Sequence, residues 1–205
     1  MKKLNYLFLF MILWGAITSC SKNEGLDPDD TTTDEVVLEG EFYTVTKHGD
    51  NHHSIYSEII INAPTSKVWN VLTDWNSYTL GVGTGWSTTF LGLELIGGNS
   101  IGNGATVDAY LYFDGFGNGP YRHTLIYTEG VEFGWSDPIA GSNAIADNHF
   151  YRVEAISATQ TKFIQTDTYK GVDTNGYFTT EGLALGAVNH FTTFNQELKV
   201  EVEKR

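Results

Sequence analysis

The chain has 205 residues, of which 41% are hydrophobic and 18% charged, which is enough apolar material for the core of one domain and too little length for two full-sized ones. Its formal net charge of −13 repels a phosphate backbone, and no Lys- or Arg-rich stretch offsets it locally, so the composition argues against nucleic acid as a partner. A single cysteine excludes an internal disulfide framework, so stability has to come from packing.

Residues 1–19 have the pattern of a secretion signal: a basic pair, an apolar run at 7–14 and small residues that lead to Cys20. This apolar run is shorter than a membrane-spanning helix requires. Residues 17–20, Ile-Thr-Ser-Cys, resemble a bacterial lipobox, in which the signal is cut before the cysteine and lipid is attached to that cysteine. We expect lipidation at Cys20. A stray cysteine in an ordinary cleavable signal is the weaker alternative, because the chain has no other cysteine.

Residues 20–35 are predicted to form a lipidated, acidic tether. Six acidic side chains stand against one lysine here, with a threonine run and little apolar material, and this composition is typical of a solvated linker. Such a tether would hold a folded domain away from an anionic membrane that the chain reaches through acyl groups on Cys20. The expected location is the bacterial cell envelope, with the protein lipid-anchored on the periplasmic side or at the surface of the outer membrane.

Residues 36–205 are interpreted as one domain, because they contain no repeat and no second linker. We predict an extra strand at 36–47, ahead of the main fold, and an exposed turn at 48–53. Alternating apolar residues predict a strand at 54–62, and the helical spacing of apolar residues after it predicts a short helix that ends near Thr73.

Six further strands follow, and the short or glycine-rich breaks between them favour antiparallel hairpins. These strands are predicted at 87–96, 105–113, 121–128, 131–135, 149–157 and 161–169. The apolar period then changes to that of a long helix from about Glu181 to Glu203, with Thr180 as the predicted N-cap. The order predicts an α+β domain with a seven-stranded, curved antiparallel sheet whose concave face is covered by the C-terminal helix.

Several segments of this layout match a known family. The matching segments are Ile-Asn-Ala-Pro-Thr-Ser-Lys-Val-Trp-Asn-Val-Leu-Thr-Asp-Trp at 61–75, Phe-Gly-Trp at 133–135, His-Phe at 149–150 and 161–171. Residues 54–205 resemble the START-like superfamily (SRPBCC), also called polyketide cyclase/dehydrase and lipid transport, whose fold is a helix-grip around a hydrophobic cavity. The sequence departs from the family pattern at Asp167, where Glu is usual, at Tyr169, where Phe is usual, and in the longer glycine-rich segment 81–104.

The layout itself also predicts a cavity, because a long helix laid across a curved sheet cannot contact it everywhere. The predicted wall consists of Val107, Ala109, Leu111, Phe113, Leu125, Tyr127, Phe133, Trp135, Tyr151, Leu183, Val188, Phe191 and Phe194. The alternative for each residue is that it fills the interior and lines no cavity. Aromatic residues make up 14% of the chain, which favours a flat or lipid-like apolar ligand over a sugar or a phosphate.

A small polar cluster is also predicted. If the hairpin turns at 158–160, His149 lies beside Tyr169 and diagonally near Asp167. His149 is then a weak candidate for a general base, with Asp167 fixing its tautomer and Tyr169 donating a hydrogen bond. A purely structural network is the favoured alternative. The three histidines at 48–53 lack the spacing of a metal site, so we expect a solvated loop there and no metal.

The leading hypothesis is a membrane-anchored lipoprotein that binds a small hydrophobic or lipid-like molecule without turning it over. One alternative is a polyketide cyclase- or dehydratase-like enzyme that acts on an aromatic precursor. Another is a cell-envelope protein-interaction module whose pocket is vestigial. We expect no cofactor, because the sequence shows no phosphate loop, dinucleotide fingerprint or hydrolase elbow.

Overall fold

The computed structural model describes residues 34–78, 85–98, 100–113, 117–139 and 144–205. The predicted signal at 1–19, Cys20 and all of the predicted tether before Asp34 lie outside these ranges. The side chain of Phe113 also lies outside the description. Within the described ranges, no helix is both long enough and apolar enough to cross a membrane.

The described residues form eleven strands and two α-helices, with a short 3-10 turn after the first helix. The strands are β1 (Glu35–Gly40), β2 (Tyr43–Gly49), β3 (His52–Ile61), β4 (Phe90–Leu95), β5 (Thr106–Phe113), β6 (Gly117–Asn118), β7 (Tyr121–Thr124), β8 (Ile126–Thr128), β9 (Glu132–Pro138), β10 (Ile145–Ser157) and β11 (Gln160–Gly171). The helices are α1 (Thr65–Leu72) and α2 (Thr180–Lys204), and the 3-10 turn spans Trp75–Ser77.

The main sheet has seven strands in the order β1-β2-β3-β11-β10-β9-β8, and all neighbours are antiparallel. The predicted seven-stranded antiparallel sheet is therefore confirmed, although its membership differs. The segment predicted as one extra strand at 36–47 is the hairpin of β1 and β2. The exposed turn predicted at 48–53 is reduced to residues 50–51, because β2 extends to Gly49 and β3 begins at His52. The His53 side chain is buried and hydrogen-bonded to Thr180 on α2.

A second sheet holds the strands β4, β5 and β7 and the two-residue β6, with β5 at its centre. The strand predicted at 121–128 is divided at Leu125, so that β7 joins this sheet and β8 forms the edge of the main sheet. The Leu125 amide donates to the carbonyl of Ala105 at 2.8 Å, and its side chain is buried. A strand that changes sheets at a bend makes a corner between them.

The long helix α2 packs against β3 and β11 and completes the helix-grip arrangement. Its N-cap is Thr179, whose hydroxyl accepts a hydrogen bond from the Gly182 amide at 3.0 Å. The predicted cap, Thr180, is instead buried and hydrogen-bonded to His53 Nδ1 at 2.8 Å. The α+β helix-grip fold is confirmed, and α2 is fixed to the sheet at its first turn.

Candidate ligand-binding site

A cavity of about 220 Å³ lies between the first half of α2 and strands from both sheets. It is lined by Leu111, Tyr121, His123, Ile139, Asp147, His149, Asp167, Tyr169, Phe178, Leu183, Gly186 and Ala187. Tyr121, Ile139 and Phe178 are partly exposed, whereas His149 and Asp167 are almost fully buried. The cavity therefore has an apolar rim near the surface and a polar inner end.

Of the predicted wall residues, Leu111 and Leu183 line this cavity. Phe113 lies outside the described side chains, and the other predicted wall residues pack into the core. Val107, Ala109, Leu125, Phe133, Trp135, Tyr151 and Phe194 belong to the larger hydrophobic cluster, Val188 and Phe191 to the smaller one, and Tyr127 packs partly buried at the edge of the larger one. The physical reason is ring packing: the centroids of Phe133 and Tyr151 are 4.8 Å apart, so aromatic side chains fill that part of the concave face.

The polar cluster predicted from the sequence is assembled, with a different register. Asp147 pairs with Tyr169 and Phe150 with Thr166, which places His149 opposite Asp167 and not opposite Tyr169. The cause is a tighter turn than predicted together with a bulge between Ala155 and Ser157. The register differs from the prediction by two residues, so the same face of the strand is kept. His149, Asp167 and Tyr169 all line the cavity.

Asp147 joins this cluster and was missed by the sequence analysis. It lies two residues before His149 on β10, so strand alternation places both on one face. The signal was present, but the strand was predicted to begin at His149, whereas β10 begins at Ile145. The neighbouring strand β7 adds His123, whose Nδ1 is 3.2 Å from Asp137 Oδ2 and whose ring stacks on Trp135 at 4.4 Å.

Burial dominates the electrostatics of the two cavity carboxyls. It raises the pKa of Asp147 to about 6, against the opposing effect of a hydrogen bond with Asp167. Burial and the negative charge of Asp147 raise the pKa of Asp167 well above its ordinary value. Two close carboxyl groups in a poorly solvated site cannot both ionise readily, so the pair keeps one proton near neutral pH.

The histidine at the inner end is neutral. Burial lowers the pKa of His149 well below its ordinary value, although its Nδ1 lies 3.6 Å from Asp167 Oδ2. This contact would be an ion pair only if His149 were protonated. Because both groups are about 2% exposed or less, desolvation outweighs their attraction and favours the neutral pair. Burial also lowers the pKa of His123.

Several buried polar atoms at the cavity have no hydrogen-bond partner. They are Asp147 Oδ1, Asp167 Oδ1, His149 Nε2 and His123 Nε2. Buried polar groups in folded proteins are normally paired, and an unpaired one costs stability. These atoms are therefore positioned to receive hydrogen bonds from, or donate them to, a molecule in the cavity. They do not form a metal centre: among the described residues, no group of three or more His, Cys, Asp or Glu is arranged to hold a metal ion.

A wider groove of about 660 Å³ lies along the last turns of α2. Its charged side chains are already paired within the chain. Glu197 accepts from the Thr88 amide at 2.9 Å, and Arg205 donates to Glu201 at 2.9 Å and to Asp74 at 3.0 Å. The groove is larger than the cavity, but these satisfied surface groups make it the weaker candidate for a binding site.

No protein-family model matches the chain, and no curated protein matches it. Solved structures do match. The Zhui aromatase/cyclase from a Streptomyces species aligns with a TM-score of 0.56 and 15% identity, over 75% of this chain and 95% of that one. A START superfamily protein from Mycobacterium smegmatis aligns with a TM-score of 0.55 and 9% identity, over 74% and 97%. Human StAR-related lipid transfer protein 5 aligns with a TM-score of 0.52 and 14% identity, over 86% and 89%.

These similarities establish the fold. The chain has the START-like helix-grip fold, as the resemblance in the sequence implied. Proteins of this fold include an aromatase/cyclase and a lipid transfer protein, so the fold alone does not determine which activity this chain has.

Proposed function

We propose that the domain binds a small, mostly apolar molecule in the cavity beside α2, with the polar end of that molecule directed toward Asp147, His149 and Asp167. One observation carries the proposal: an apolar rim leads to buried polar atoms that have no partner within the chain. Ligand sites commonly combine apolar walls with a few converging polar groups. The lipid transfer protein and the aromatase/cyclase of similar fold support a hydrophobic ligand.

The volume limits the size of the ligand. A cavity of about 220 Å³ exceeds the ~150 Å³ that admits benzene in an engineered protein core. It lies below the ~300–1,000 Å³ of typical drug-sized sites. We therefore infer a ligand of one ring with a short substituent, or a short chain, and not a lipid with two acyl chains.

The test is to measure the binding of 2-phenylethanol to the purified full chain by calorimetry. We expect binding to the native chain and its loss in Ala187→Phe, because Ala187 is buried and lines the cavity. The matched control is Leu185→Phe, two residues away on α2, where the side chain is partly exposed. The proposal fails if the native chain binds neither this probe nor any small molecule detectable by native mass spectrometry.

A second candidate function is acid–base catalysis on a carbonyl compound, as in a polyketide cyclase-like enzyme. The pKa of Asp147 at about 6 favours it, because a general base works best with a pKa near the operating pH. The test is deuterium exchange at the α-carbon of benzoylacetone, followed by NMR. Exchange above the buffer rate that is lost in Asp147→Asn and in His149→Ala, but kept in the control Tyr177→Phe on an exposed loop, would support it. Full turnover in His149→Ala would exclude a role for that histidine.

We also propose that lipid on Cys20 anchors the domain to a bacterial membrane. The lipobox-like residues 17–20 and the acidic residues after them support this. The test is metabolic labelling with a fatty acid, together with fractionation of membranes. We expect the native chain to be labelled and membrane-bound, and Cys20→Ser to be neither; equal labelling of both chains would contradict the proposal.

A further inference from the structure

The inner end of the cavity carries negative charge without a matching positive charge. Among the described residues that line it there is no Lys or Arg. The two histidines on its wall, His123 and His149, are neutral because burial lowers the pKa of each. The groups that affect the pKa values of Asp147 and Asp167 also include no cation.

The amount of uncompensated charge matches one cation. Since the pair keeps one proton near neutral pH, Asp147 and Asp167 together carry a single negative charge there. Each carboxyl also leaves its Oδ1 buried and unpaired. Buried charges in proteins are normally paired, so a charge of this kind beside an empty volume indicates that its partner comes from outside the chain.

The rest of the wall suits an organic cation better than an inorganic one. Aromatic rings of Tyr121, Tyr169 and Phe178 line the same cavity, with Leu111 and Leu183. Aromatic faces attract ammonium groups, and the aliphatic side chains exclude the water that a small inorganic ion retains. The described residues also lack a donor set for a metal ion.

We propose that the ligand of this cavity is a small organic monocation, an arylalkylamine or a short alkylamine, whose ammonium group lies between Asp147 and Asp167. This inference rests on the proposed binding function and names the ligand class for the same site. An ammonium group has three donors. Two of them are directed to the Oδ1 atoms of the two carboxyls.

The experiment compares phenethylamine with 2-phenylethanol, its neutral isostere, on the native full chain by calorimetry. At a pH of about 7.5, above the pKa of about 6 for Asp147, the amine should bind roughly 10- to 100-fold more tightly than the alcohol, because a hydrogen bond to a charged group is stronger than a neutral one. Asp147→Asn should remove that preference and keep the binding of the alcohol. The matched control Glu154→Gln, on the solvent side of the same strand, should change neither affinity.

The pH dependence gives a second readout. Lowering the pH through about 6 protonates Asp147, so the affinity for the amine should fall while the affinity for the alcohol stays the same. Other titratable groups lie near the pair: His123 on β7, Asp137 on β9, His149 and Tyr151 on β10, and Tyr169 on β11. His190 on α2 interacts with His149. Burial lowers the pKa values of His149 and His190, the latter to about 4, so these two stay neutral over this range.

The possible outcomes separate the two proposals. If neither probe binds the native chain, the cationic ligand class is wrong, and the proposed function fails as well when native mass spectrometry detects no other bound small molecule. If the alcohol binds as well as the amine, or if Asp147→Asn keeps the preference for the amine, the cavity does bind small apolar molecules but the cationic ligand class is wrong. A preference that depends on Asp147 and disappears at low pH supports the inference.

Discussion

At the scale of single residues, the two cavity carboxyls are held in the fold at a cost. Asp167 is buried and Asp147 is half-buried, the pKa values of both are raised, and each has a buried oxygen without a partner. A folded protein tolerates such groups when function requires them or when the rest of the core compensates. Their effect on stability can be separated from any role in binding, because it depends on pH in a defined direction.

Asp147→Asn is expected to stabilise the folded chain at neutral pH. The folded state keeps a proton on Asp147 up to a pH of about 6, whereas the unfolded chain releases it near pH 4. The native chain therefore loses stability as the pH rises through this window and does not regain it above. In urea unfolding near pH 8, the free energy of unfolding of the variant should exceed that of the native chain by roughly 1–3 kcal/mol. Near pH 4 the two values should be equal. A variant less stable at neutral pH would show that Asp147 has a stabilising partner.

The residues of this cluster also show what sequence reasoning reaches. Alternation predicted that His149, Asp167 and Tyr169 share a face, and this is how they lie, because a two-residue slip of register preserves the face. The predicted pairing of His149 with Tyr169 was wrong, because His149 lies opposite Asp167. The register depends on the bulge between Ala155 and Ser157, and a bulge leaves no distinct pattern in one sequence.

At the scale of elements, a glycine on β9 allows β10 to approach closely at the level of the site. Gly134 pairs with Phe150, beside the pair of Trp135 and His149. A Cβ at this glycine would lie 2.1 Å from the His149 carbonyl oxygen. Since that atom belongs to the backbone, one of the two strands would have to move.

Gly134→Ala is therefore expected to destabilise the fold by about 1–3 kcal/mol and to displace His149 from the cavity wall. Chemical denaturation measures the first effect, and the affinity for 2-phenylethanol measures the second. The control is Gly102→Ala, where a Cβ would meet no atom within 4 Å. Unchanged stability in Gly134→Ala would mean that β9 and β10 separate easily at this point.

A buried polar network joins α2 to the sheet. The Gln165 side-chain amide on β11 donates to the Phe191 carbonyl and to Asn195 Oδ1, and Asn195 Nδ2 donates to Ser57 Oγ on β3 at 2.8 Å. Gln165, Asn195 and Ser57 are fully buried, so the network fixes the rotation of α2 on the sheet, as the hydrogen bond between His53 and Thr180 does at the first turn of the helix.

Asn195→Ala should cost roughly 2–4 kcal/mol, because it removes two hydrogen bonds from a fully buried network, one with Gln165 and one with Ser57, and opens a small void. The control is Asn189→Ala, at an exposed position on the same helix, which has the same effect on helix propensity. The difference between the two free energies of unfolding, measured with urea, is the contribution of the network. If both substitutions have the same small effect, the network contributes nothing specific to the position of α2.

The elements also mark the limit of prediction from periodicity. Both predicted helices and most predicted strands correspond to single observed elements, because burial on one face leaves a local pattern; the strands predicted at 36–47 and 121–128 are each two strands. The assignment of the strands to two sheets leaves no such local pattern. The bend at Leu125, which divides β7 from β8, depends on a hydrogen bond to Ala105, which is distant in the sequence. The cavity wall was misplaced for the same reason: alternation tells which side chains face inward but not how deep they lie.

At the scale of the whole molecule, the space under α2 is divided into two regions. Near the C-terminal half of the helix it is filled by an aromatic cluster, in which Phe194 packs at 5.4–5.9 Å, between ring centroids, from Phe90, Tyr151 and Phe163. Near the N-terminal half it holds the cavity. We interpret the first region as the source of stability and the second as the binding site.

This division predicts that stability and binding respond to different substitutions. Phe194→Ala removes a fully buried ring and should cost about 3–5 kcal/mol, while the affinity of the remaining folded protein for 2-phenylethanol changes by less than about twofold, because Phe194 does not line the cavity. Leu183→Ala, at the partly exposed rim, should cost only about 1 kcal/mol and weaken binding by roughly three- to tenfold, since the ligand loses apolar contact. Denaturation and calorimetry on the two variants measure both quantities. If Phe194→Ala weakened binding as much as Leu183→Ala, the division into a stabilising region and a binding region would be wrong.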